Sequence, residues 1–128
     1  MAKKEIIRTD KAPQAVGPYS VGVRYENLVF TAGQIPIDPL TGDLVSGEIE
    51  QQAHQALTNV KNVLEAAGTS LEHVLKTTVF LMDMGDFARM NAVYAEFFKE
   101  DPPARSAIQV AALPKGASIE IEAIAYIP

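Results

Sequence analysis

Two ionisable residues near the end of the chain are the best suited to chemistry. Arg105 follows a pair of prolines in PPARSAIQVAALP, and Glu120 stands near the start of the apolar run SIEIEAIAYI. A guanidinium is costly to bury unless an anion meets it, and its planar fork suits a carboxylate. A glutamate on an apolar element can hold a water or pass a proton. Two more polar groups sit on similar ground. Asn91 lies at helical spacing between Phe87 and Tyr94, and Tyr19 follows a Gly-Pro turn in VGPYS. Each has a plain structural alternative. Arg105 and Glu120 can pair with each other, Asn91 can be a surface amide, and Tyr19 can be an interface aromatic with a wet hydroxyl.

Other chemistries find little foothold. The chain has no cysteine, so it offers no disulfide, no thiolate nucleophile and no Cys-ligated metal, in keeping with a reducing compartment. His54 falls off the apolar arc of its segment and His73 sits in a turn. Without HxxxH spacing they suggest surface residues, and no metal site is expected. No GxSxG elbow, Walker loop or GxGxxG loop occurs, so no organic cofactor is expected either. Net charge is −5 and the 11 Lys and Arg are scattered. That disfavours a nucleic-acid binder, which would show a basic stripe.

The positioning elements follow from hydrophobic period. Residues 21–32, VGVRYENLVFTA, read as two short strands with a turn at Glu26-Asn27. PIDPLTGDLVSG then reads as a long loop. From Glu48 to Ala67 the period is helical, with Ile49, Ala53, Ala56, Leu57, Val60, Val63, Leu64 and Ala67 on one arc. Glu48 and Glu50 suit the helix start and Gly68 the C′ position, while Thr69 with Glu72 suggests a capping box for a short turn. VLKTTVFLM (74–82) reads as a strand. A second helix is expected over roughly 84–99, capped by Asp83, with Phe87, Met90, Tyr94, Phe97 and Phe98 inward; Pro102-Pro103 end it. Strands follow at 105–110 and 118–127. The order ββ-α-β-α-ββ implies an α+β fold, a mixed sheet with both helices on one face.

At 128 residues the chain reads as one domain, 1–128, 48% hydrophobic and so globular. The opening MAKKEIIRTD lacks the apolar core of a signal peptide, and no apolar run approaches the length of a membrane span. A cytoplasmic protein is expected. In the last strand Ile119, Ile121, Ala123, Ala125 and Ile127 share one face, while Glu120, Glu122, Ile124 and Tyr126 share the other. With two helices on one side only, Ile124 and Tyr126 need another cover. A further copy of the chain is the economical one, so self-association is expected.

The strings VGPYS, FTAGQIP, ALTNVKNVLEAAG, VLKTTVFLMDMGDFARMNAVYAEFF and PPARSAIQVAALPKGASIEIEAIA together resemble the RidA (YjgF) family of reactive-intermediate deaminases, over nearly the whole chain and in order. The resemblance implies a chorismate-mutase-like homotrimer around a central barrel, with sites in clefts between subunits. It implies hydrolysis of 2-imino and enamine acids, such as 2-aminoacrylate and 2-iminobutanoate, to 2-oxo acids and ammonia, with no cofactor. By the same resemblance Arg105 grips the substrate carboxylate and Glu120 holds the attacking water. Tyr19 and Asn91 line the cleft, and Gly33 lets backbone approach the ligand. Ala107 stands where the family usually has cysteine; its backbone lies beside the substrate. Ala32 stands where serine is frequent, which bears on substrate range. Two rival readings are a trimer that senses ligands or binds proteins without turnover, and a ribonuclease or translation inhibitor. A chaperone-like role on exposed apolar surface is a third.

Overall fold

In a computed structural model, which describes residues 2–128, eight main elements form two layers. They are β1 (Glu5–Ile7), β2 (Gly22–Tyr25), β3 (Leu28–Thr31), α1 (Ile49–Ala66), β4 (Val74–Leu81), α2 (Phe87–Phe97), β5 (Ala104–Gln109) and β6 (Ile119–Tyr126). One six-stranded sheet runs in the order β1-β2-β3-β6-β4-β5. It is mixed: β4 and β5 are parallel, joined through α2, and the other pairs are antiparallel. The expected α+β architecture is the observed one, with a short first strand that its three residues are too few to signal by period.

α1 starts where its sequence asks. Glu48 and Gln51 exchange side-chain and backbone hydrogen bonds in a capping box. All the apolar positions assigned to its inner arc are buried, and the helix ends before Gly68 at φ +93°. The start of α2 differs from expectation. Asp83 caps a 3₁₀ turn over Met84–Asp86, accepting from the Gly85 N–H at 2.8 Å, and the α-helix begins only at Phe87. The Thr69–Glu72 capping box does not form. The Thr69 hydroxyl instead donates to the Tyr126 carbonyl at 2.6 Å, tying the turn to the end of β6.

The core lies between the helices and one sheet face. Val29, Val79, Leu81, Ile119, Ile121 and Ala125 are fully buried against Leu57, Val60, Leu64 and Met90. Among the described residues no helix covers the opposite sheet face. Strand register sets Phe30 beside Ile124 and Leu28 beside Tyr126 on that face. Phe30, Leu28, Tyr25, Ile6 and Ile108 are all exposed there.

Candidate active site

The site residues fall into two groups on opposite faces of the sheet. In β5, Arg105 is paired with Thr77 and Ala107 with Val79, and both point to the helix side. In β6, Glu120 is paired with Phe80, on the uncovered side. Strand parity separates them, so Arg105 and Glu120 do not pair within one chain.

The first group is built on β5 and α2. Arg105 is half-buried. Its Cζ lies 4.7 Å from the ring centroid of Tyr94 and 5.3 Å from that of Phe87. Its Nη1 donates to the Asn91 Oδ1 at 2.7 Å. The three α2 residues stand one turn apart, so a single helix face supplies both ring faces and the amide. Asn91 is therefore no free surface amide. Among the described residues the ion pairs are Lys61–Glu65 and Arg89 with Glu48 and Glu50; none involves Arg105. Its charge faces aromatic rings and one amide oxygen, and no carboxylate among the described residues.

Ala107 presents its backbone. Val110 N–H donates to Leu81 O, so alternate residues of β5 direct their peptide groups towards β4. By that alternation Arg105 and Ala107 turn their N–H and C=O outward at the free edge of the sheet.

The second group surrounds a cleft of about 410 Å³ whose walls include Tyr19, Ala32, Gly33, Gln34, Lys115 and Glu120. A bulge shapes it. Phe30 pairs with Ile124 but Gln34 bridges Ile121, so β3 carries one residue more than β6 between those points. Inside the bulge the Thr31 hydroxyl accepts the Ala123 N–H at 3.0 Å, replacing a ladder bond. The bulge carries Gly33 over Glu120. A Cβ built on Gly33 would stand 2.7 Å from the Glu120 carboxyl, so glycine here makes room for that side chain. Burial pushes the Glu120 carboxyl above the ordinary glutamate range, and the negative Glu122 adds to the effect. Tyr19 is about half exposed, and its hydroxyl accepts weakly from the Val16 N–H at 3.4 Å.

Sequence reading missed two supports because they are polar residues on apolar arcs. Asn59, fully buried on α1, donates to the Ile35 and Ile37 carbonyls and accepts from Gln55, pinning the cleft wall to the helix. Thr77 holds the Tyr94 hydroxyl at 2.7 Å. The two histidines take no part. His54 is exposed against Phe97, and His73 is half-buried beside Ser70 and Tyr126. No group of three or more potential metal ligands occurs among the described residues, and no helix is long and apolar enough to cross a membrane.

Fold and site together define a class: a two-layer α+β domain whose one mixed sheet carries an aromatic-lined arginine on its helix side and a half-buried glutamate on its open side. Residues 9–127 match the model of the Endoribonuclease L-PSP family, and the chain belongs to that family, which includes the RidA and YjgF proteins. It is 58% identical to a RutC family protein of Pyrococcus horikoshii, over 96% of this chain and 98% of that one. It is 50% identical to the human 2-iminobutanoate/2-iminopropanoate deaminase, over 95% of this chain and 89% of the human protein. Among solved structures, E. coli TdcF with bound serine superposes with a TM-score of 0.92 at 48% identity, covering 95% of this chain and 98% of that one.

Proposed function

We propose that the protein hydrolyses small 2-imino acids and their enamine tautomers to 2-oxo acids and ammonia. The observation that carries this reading is Arg105, a half-buried cation set against two aromatic rings with no carboxylate partner of its own. A planar carboxylate fits such a fork in a bidentate pair. In the 2-imino acids that carboxylate sits beside the C=N carbon, so gripping it fixes the reacting atom. The reading agrees with the activity for which the human relative is named and with the serine bound to TdcF.

The separation of Arg105 and Glu120 calls for a second copy. In the proposed homotrimer the open faces meet around a central barrel, and each cleft takes Arg105, Asn91 and the Ala107 backbone from one copy. The neighbour supplies Glu120, Gly33 and Tyr19. Glu120 orients a water towards the imine carbon. The water oxygen adds to that carbon and gives a proton to Glu120, while the C=N electron pair moves to nitrogen, which takes that proton from Glu120. Collapse of the adduct forms a C=O bond and expels ammonia, with Glu120 carrying the hydroxyl proton to the leaving nitrogen. Water and imine account for every atom of the 2-oxo acid and ammonia. A nuclease reading asks for phosphate-binding charge that a net −5 chain with scattered cations does not concentrate.

The test is release of 2-oxobutanoate from 2-iminobutanoate made in situ by an amino-acid oxidase, with semicarbazide competing for the imine. Native protein is expected to outrun the trap and Arg105→Ala to behave like buffer. Native protein that never outruns it would sink the deaminase reading.

A further inference from the structure

We propose that Tyr94, held by Thr77, is a positioning residue that sets the direction of the Arg105 guanidinium. This rests on the carboxylate role proposed above for Arg105. The Tyr94 ring lies beneath the guanidinium, and it also packs against Phe98 at 4.7 Å between centroids. The Tyr94 hydroxyl meets Thr77 Oγ1 at 2.7 Å in a buried pair, and Thr77 is the residue directly across from Arg105 in the β4–β5 register. Helix, ring, hydroxyl and strand thus close a loop that returns to the arginine it supports.

The chemistry of the pair argues for orientation and not for filling. A valine and a phenylalanine of the same shapes would occupy this space without desolvating two hydroxyls, at little net change in stability. The hydroxyl pair adds direction. It pins the far end of the ring's long axis, which holds the ring in place beneath Arg105, and the in-plane preference of a phenolic hydrogen bond favours one rotation about that axis. Stacking alone restrains a guanidinium normal to its plane, and the Asn91 oxygen then selects its rotation within the plane. With both restraints met, the unused N–H groups leave in one direction before substrate arrives. Such preorganisation strengthens an interaction by lowering the ordering cost of binding.

The test uses Tyr94→Phe, Thr77→Val and the double variant, each first checked for a native melting transition. Two ligands are compared by calorimetry: 2-oxobutanoate, which offers a carboxylate, and 2-oxobutanamide, which does not. Each single variant is expected to weaken 2-oxobutanoate about fivefold, the equivalent of one neutral hydrogen bond. The double is expected to add nothing further, and 2-oxobutanamide binding is expected to stay as in the native protein. KM for the imine should rise by the same factor. Unchanged affinity in every variant, or equal losses for both ligands, would overturn the proposal, the second because it marks a general packing defect. A second readout needs no ligand. Guanidinium N–H resonances of Arg105 should be resolved in native protein, where rotation about Nε–Cζ is restrained, and should coalesce in Tyr94→Phe and Thr77→Val. If native protein binds no 2-oxobutanoate, the carboxylate reading fails and this signal alone decides, no change between native and variants overturning the positioning role.

Discussion

Glu120 is a residue the fold holds at a cost. Its pKa is raised, chiefly by burial and further by Glu122, so the folded chain binds the proton more tightly than the unfolded chain does. The stability cost is absent below the ordinary glutamate value and grows as pH rises through the raised one. Glu120→Gln removes it. Thermal melts should place the variant above native protein at pH 7, with the gap closing as pH falls below the ordinary glutamate range. Turnover of the imine should drop by about a hundredfold or more, the scale of a lost general acid–base group. A variant that is neither steadier at pH 7 nor slower would leave Glu120 without its assigned role. In native protein the acid limb of kcat/KM should lie above the ordinary glutamate value. Glu122→Gln should move that limb down, because removing a negative neighbour eases ionisation.

At the level of elements, the bulge between β3 and β6 does the positioning that a regular ladder cannot. It spends one extra residue to bring Gly33 over the Glu120 carboxyl. Gly33→Ala is therefore expected to displace that carboxyl, which cannot share 2.7 Å with a methyl group. Activity should fall steeply while melting temperature moves little, since the cleft can give where the core cannot. A large loss of stability with intact turnover would place the strain elsewhere. The bulge also marks the limit of what the sequence discloses. α1 was legible to within a residue because eight apolar positions repeat at one period and Glu48 and Gly68 punctuate it. Residues 21–32 disclosed a hairpin through the turn at Glu26, whose φ is +54°. The bulge carries no such signal: FTAGQIP reads as strand then turn, and its register is set by Ile121 far along the chain. Thr77 and Asn59 were silent for a related reason, since a single polar residue on an apolar arc is visible only through the partner it meets. The proposed catalytic pair was legible as residue types, but their placement on opposite faces emerged only from the register of three strands.

For the whole molecule, that placement makes the strongest prediction, because it separates a site within one chain from a site shared by two. Arg105→Ala and Glu120→Gln are each expected to be inactive alone. If every cleft draws its arginine from one copy and its glutamate from the neighbour, a mixed oligomer rebuilds intact clefts. A Glu120→Gln copy supplies Arg105, and an adjacent Arg105→Ala copy supplies Glu120. Unfolding equal amounts of the two together and refolding them should give random neighbours, so about one cleft in four is whole and about a quarter of native turnover returns. The uncovered face supplies the control. Phe30 and Ile124 sit side by side on it, and a charge at either should block assembly by burying an unpaired ion. Adding Phe30→Glu to both partners should therefore abolish the recovery and leave smaller particles in sedimentation. A mixture that recovers nothing while still assembling would show that neighbouring copies do not share the cleft, and would return Arg105 and Glu120 to separate roles.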